Sequence, residues 1–187
     1  MSRPPAARRT EVWLRGNLRP TVGVAAVAAC LAAVVALAVA LTGAPLWTAL
    51  VAAVVLGAVA VPFAVVAGRP RLARRGDELL VHLSPFVVRR VPLEVVECVF
   101  HGSQPLESAA TAAAGPPLRV GTLVLRLAER AVEWRERPTF TPWGTWQDGH
   151  IICDGRWCEP LTVEVARGVG SRLFEAKRET RPPEPCS

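Results

Sequence analysis

Two unbroken apolar runs, Thr21 to Leu41 and Leu46 to Ala67, stand apart from the rest of this chain. Each is 21 or 22 residues long, matching the roughly 20 residues an α-helix needs to cross a hydrocarbon core of about 30 Å. Thr42-Gly43-Ala44-Pro45 between them is a turn of helix breakers, and Trp47 follows where an amphipathic ring favours the membrane interface. Backbone groups in lipid must bond within the chain, so the pattern predicts a hairpin of two spanning helices. A cleaved signal peptide is the rival reading, with Ala36-Leu37-Ala38 and Ala38-Val39-Ala40 as small-residue sites. The apolar run exceeds the roughly 7 to 15 residues of a signal core, which favours the anchor.

From Asp77 the period changes from continuous to alternating. Glu78–Leu83 and Phe86–Val91 read as strands around Ser84-Pro85, and Leu93–Phe100 as a third after Pro92. Residues 102–118, rich in Ala, Pro and Gly, read as a long loop. Strand character returns at Arg119–Leu127, with Ala131–Arg135 as its expected hairpin partner. An irregular stretch, Pro138–Gly149, precedes His150–Cys153 and Arg156–Cys158, which flank Asp154-Gly155, a favoured hairpin turn. Leu161, Val165, Val169, Leu173 and Ala176 make the apolar stripe of a C-terminal helix over about 161–179, weakened by Gly168 and Gly170.

Four segments follow: a basic leader over 1–20, two transmembrane helices within 21–67, a β-domain over 71–179 and a tail over 180–187. The fold class is thus a membrane α-helical hairpin with an α+β domain, an antiparallel sheet or small barrel closed by a C-terminal helix. Within it, Arg89-Arg90-Val91-Pro92-Leu93-Glu94-Val95-Val96-Glu97-Cys98-Val99 sets basic residues before an apolar-Pro-Leu step and an alternating strand. This resembles the bacterial pleckstrin-homology-like (PH-like) membrane proteins, over about residues 71–178. The resemblance implies a partly open β-barrel with one end plugged by the helix, and carries no catalytic residues.

Charge sharpens this division. None of the 22 Lys and Arg or 16 Asp and Glu lies in residues 21–67, which excludes a single water-soluble globule. The leader holds Arg3, Arg8, Arg9, Arg15 and Arg19 against Glu11, and Arg69, Arg71, Arg74 and Arg75 follow the second run. The positive-inside tendency therefore places both ends in the cytoplasm, and the resemblance implies a bacterial inner membrane. With no ionisable residue in either span, the hairpin reads as an anchor and not as an ion pathway. From Arg69 onward 17 basic residues face 15 acidic ones, so the pI near 9.9 reflects the membrane flanks, and nucleic acid is not an expected partner.

The expected partners are the lipid bilayer and either a protein or a second copy, the latter through alanines spaced by four, Ala28, Ala32, Ala36 and Ala40. Arg69, Arg71, Arg74 and Arg75 are candidate lipid-headgroup contacts, against the plainer reading that they only set topology. Phe140, Trp143 and Trp146 form an aromatic loop, expected either to fold over the open end of the barrel or to touch bilayer or partner. Trp134 and Trp157 are expected in the core.

Candidate chemistry is sparse. His150, Cys153 and Cys158 cluster within nine residues and invite a metal- or redox-dependent alternative. Their C-x4-C spacing across an Asp-Gly turn would put the thiols diagonally across a ladder, about 7 to 8 Å apart, too far for a tight clamp. Buried, reduced cysteines are the expectation, with no cofactor. No nucleophile, phosphate loop or paired-carboxylate pattern is present. The reading is a membrane-anchored binding or scaffolding protein, not an enzyme.

Overall fold

The computed structural model describes residues 10–105 and 119–180, so the expected tail from 181 and most of the 102–118 loop lie outside the described residues. The chain divides into two compact units, and the division is discontinuous in sequence. Asn17–Arg69 forms one unit, while the residues before it and after it fold together as the other.

The smaller unit is a pair of helices, α1 (Arg19–Thr42) and α2 (Leu46–Ala67), each long and apolar enough to cross a membrane. Pro20 occupies the first turn of α1, where its missing N–H costs nothing, and Gly43 closes that helix in the left-handed conformation at φ 66°. Only Thr21, Val39 and Ala67 are buried along both helices. Apolar side chains otherwise point outward all round, including Val22, Leu31, Leu37, Leu50 and Val54. Helical hydroxyls are satisfied internally: Thr42 Oγ1 donates to Ala38 O at 2.8 Å and Thr48 Oγ1 to Pro45 O at 2.8 Å. Polar atoms turned inward and apolar atoms turned outward suit a hydrocarbon solvent.

The larger unit holds two antiparallel four-stranded sheets and a helix. Strand β1 (Thr10–Leu14) lies before the helical pair; β2 (Leu72–Arg75), β3 (Glu78–Val81) and β4 (Arg89–Pro92) follow it. They pair in the order β1-β2-β3-β4. The second sheet, β5-β6-β8-β7, comprises β5 (Val96–Pro105), β6 (Arg119–Leu127), β7 (Gly144–Gln147) and β8 (His150–Asp154). A 3-10 turn, Leu93–Val95, carries the chain from one sheet to the other. The two sheets are not closed into a barrel, where the resemblance implies a partly open one: β4 and β5 are consecutive in chain but not paired.

Residues 10–14 correct the reading of 1–20 as a mere leader. Thr10, Glu11 and Val12 pair with Arg75, Arg74 and Ala73, and the register then slips before Leu14 meets Leu72. That extra residue turns both Trp13 and Leu14 inward, 2% and 0% exposed. The two expected transmembrane segments are therefore inserted between adjacent strands of one sheet.

Several other expectations change. Ala131–Arg135 is not a hairpin partner, because both edges of β6 are taken by β5 and β8; Val132–Trp134 forms a 3-10 turn instead. The irregular 138–149 stretch contains β7. The hairpin turn is Asp148-Gly149, with φ 52° and 71°, and not Asp154-Gly155. Two positive φ values match the twist of the flanking strands. Asp154 instead accepts the Arg156 backbone N–H at 2.8 Å and chelates its guanidinium, while Gly155 N donates to Gly121 O at 3.1 Å. Of the expected strand 86–91 only its end is paired, and Phe86–Val88 lie outside β4.

Helix α3 (Val163–Thr180) buries Ala166, Val169, Leu173 and Ala176, so Ala166 replaces Val165 in the expected stripe. The helix lies along β5 and β1. Arg172 Nη1 donates to Val12 O at 3.2 Å, and Arg74 pairs with Glu179 at 2.7 Å. The core of the unit is Leu14, Leu72, Leu79, Val81, Val91, Leu93, Val96, Leu123, Leu125, Ile151 and Val169.

Candidate functional site

The most distinctive chemistry lies where β1 ends and β2 begins. Arg71 is fully buried, an uncommon position for a guanidinium. Its backbone N–H donates to Leu14 O at 2.8 Å, and its carbonyl accepts from His82 N at 2.9 Å. Its Nε donates to Trp157 O at 3.1 Å, and the guanidinium carbon stands 3.8 Å from the centroid of the Trp143 ring. Burial lowers its pKa, opposed by the nearby Cys158 and Cys153. The chain around it is sewn together by Arg15 and Glu159. Arg15 N donates to Glu159 Oε1 at 2.9 Å and Glu159 N to Arg15 O at 3.1 Å, next to a bridge between Gly16 and Cys158. Arg71 thus ties the end of β1 and the start of β2 to the segments around Trp143 and Trp157.

The thiols are held inert. Cys153 and Cys158 are both fully buried. Burial pushes the Cys153 thiol up to about 12, outweighing the opposing pull of Arg71. Burial, then the neighbouring Cys153, raises Cys158 well above the usual thiol range. A protonated thiol is a poor nucleophile and a poor metal ligand. His150 is not brought to them: it pairs across from Arg126 and Gln147, three positions and one strand face away from Cys153. Its Nδ1 lies 2.8 Å from Asp148 O. Among the described residues no three His, Cys, Asp or Glu side chains are grouped to hold a metal ion.

The four candidate headgroup arginines separate. Arg71 is internal, so it cannot meet lipid. Arg74 is mostly covered and engaged with Glu179 and, through Nε, with Gly76 O at 2.8 Å. Arg69 and Arg75 are exposed. The aromatic candidates separate as well. Trp143 and Trp146 are core residues, each 2% exposed. Trp146 stacks on Trp134 at 6.0 Å, and its Nε1 donates to Trp134 O at 2.7 Å. Trp134 and Trp157, expected in the core, are only half-buried. Phe140 keeps 43% of its surface exposed and packs edge-on against Trp143 at 5.4 Å.

One surface feature escaped the sequence reading. Phe86 is 89% exposed, and Val87 and Val88 are 41% exposed each. The β-branched and aromatic residues of Phe86–Val91 have strand composition, so the loop reads locally as a strand. Thr10-Glu11-Val12-Trp13-Leu14 has strand composition, but it sits among the leader arginines and has no strand signal beside it in the chain. Comparison with known proteins finds no family model, no curated protein and no solved structure that matches the chain.

Proposed function

We propose that this chain is a membrane-anchored binding or scaffolding protein, not an enzyme, whose PH-like β-domain lies on the cytoplasmic side of a bacterial inner membrane. One observation carries the reading: the apolar helical pair is inserted between the neighbouring strands β1 and β2. With both of its ends in one sheet, the pair opens on a single face of the membrane, as an even number of spans requires. Cleavage after α1 would strip β1 from the sheet, which argues against a removable signal. Arginines on both flanks, and none in the Thr42–Pro45 connection, favour the cytoplasmic face. Buried, protonated thiols favour a binding module over redox or metal chemistry. The bilayer is the first partner; a protein or a second copy is the second.

The test uses a native reporter. Cys98 is exposed on β5. In a Cys186→Ser variant, a membrane-impermeant maleimide should label Cys98 in inverted membrane vesicles and leave it unlabelled in intact spheroplasts. Labelling in spheroplasts would overturn the orientation, and release of the chain by alkaline carbonate would overturn the anchor.

A further inference from the structure

The first sheet has two ends, and its register assigns them different surroundings. Leu14, Leu72, Val81 and Arg89 form one row across β1, β2, β3 and β4. At this row the chain leaves for α1 and returns from α2. Only residues 15–18 and 68–71 separate the row from the helices. Each connection spans at most about 18 Å of extended chain.

The β3–β4 connection, residues 82–88, emerges from the same row, directly beyond Val81 and before Arg89. It presents Phe86, Val87 and Val88 to the outside. Beside it stands Phe140, whose backbone N–H donates to Leu83 O at 2.7 Å. Arg90 is exposed two residues after Val88, and Arg15 and Arg69 are exposed on the two connections to the helices. An aromatic and two valines projecting together from water-facing backbone are unfavourable unless something covers them. Exposed apolar side chains with an exposed arginine next to them in the chain match the layered chemistry of a bilayer surface, acyl chains beneath and anionic headgroups above.

We propose that the Pro85–Val88 loop, with Phe140 beside it, dips into the headgroup–acyl boundary of the bilayer that α1 and α2 span. This contact would be a third attachment point that fixes how the β-domain stands on its membrane. It rests on the reading of the helical pair as an anchor, and its test separates the two.

The full chain, with Cys30, Cys98 and Cys186 changed to serine, receives a single polarity-sensitive fluorophore at Phe86→Cys or Val87→Cys. It is reconstituted in vesicles of mixed neutral and anionic lipid carrying a shallow acyl-chain spin label. Two controls accompany it: native Cys30 in α1, and Glu94→Cys, an exposed position beyond the opposite end of β4. The expected result is blue-shifted emission and strong quenching at 86 and 87 as at Cys30, with none at 94. Quenching at Cys30 but not at 86 or 87 overturns the loop contact and leaves the anchor standing. No quenching at Cys30 either overturns the anchor, and the loop contact with it.

Discussion

Trp13 lies ahead of the apolar helices in sequence yet is 2% exposed in the sheet that follows them, so its truncation tests the discontinuous domain directly. Replacing a buried Trp by Ala costs about 3 to 5 kcal/mol through lost burial and the cavity left behind. The indole Nε1 is buried and has no hydrogen-bond acceptor among the described residues. Such a donor costs about 1 to 3 kcal/mol, which brings the expected loss in Trp13→Ala down to about 2 kcal/mol. In Trp13→Phe the donor disappears with part of the ring, and the two changes should cancel to within about 1 kcal/mol. Urea unfolding of the full chain in nanodiscs reads this, with pulsed alkylation of Cys153 and Cys158 as the signal. Those thiols are buried in the folded state and open to reagent only when the sheets separate. With a urea slope of about 1.5 kcal/mol per M, Trp13→Ala should lower the midpoint by about 1.3 M. A shift below about 0.5 M would show that β1 contributes little to the domain, and the inserted architecture would be wrong.

Other outcomes follow from the same interior. Arg71→Met should lie within about 1 kcal/mol of the parent, because relief of a buried charge offsets the lost stack and hydrogen bond, whereas Arg71→Ala should cost about 2 to 4 kcal/mol through the hole beneath Trp143; thermal unfolding of both variants decides between them. The Cys153 thiol, near 8.5 when exposed in an unfolded chain, is pushed up to about 12 when folded. The unfolded chain then loses its proton first as pH rises, so stability is fully present below about pH 8.5 and falls toward about 12, and Cys153→Ala should flatten that decline. Cys158, raised by the same burial, adds to the decline, so Cys153→Ala with Cys158→Ala should flatten it further than Cys153→Ala alone. Gly144→Ala should unfold the β7–β8 hairpin, since φ is 152° there and a Cβ would collide with the carbonyl oxygen of Ile152; loss of Cys153 protection from alkylation reports it.

The helical pair was legible without any structure, because hydrocarbon-scale length and the lack of charge over residues 21–67 are properties of composition along a line. The C-terminal helix and the strands Glu78–Val81 and Arg119–Leu127 were legible for a similar reason, since a half-buried element records its period locally. What failed were questions of partnership. Asp148-Gly149 and Asp154-Gly155 are the same dipeptide, and only the pairing of Gln147 with His150 distinguishes hairpin from side-chain clamp. Arg69, Arg71, Arg74 and Arg75 share one charge and one stretch of chain; the fold sends Arg71 inside to meet Trp143 and Trp157, and leaves Arg69 and Arg75 outside. Trp143 and Phe140 likewise part by burial and not by type. Hydrophobic pattern decides which solvent a segment prefers. Which distant segment shares an edge with it, as β1 does with β2 across the whole helical pair, is settled by hydrogen-bond registers that no local window contains.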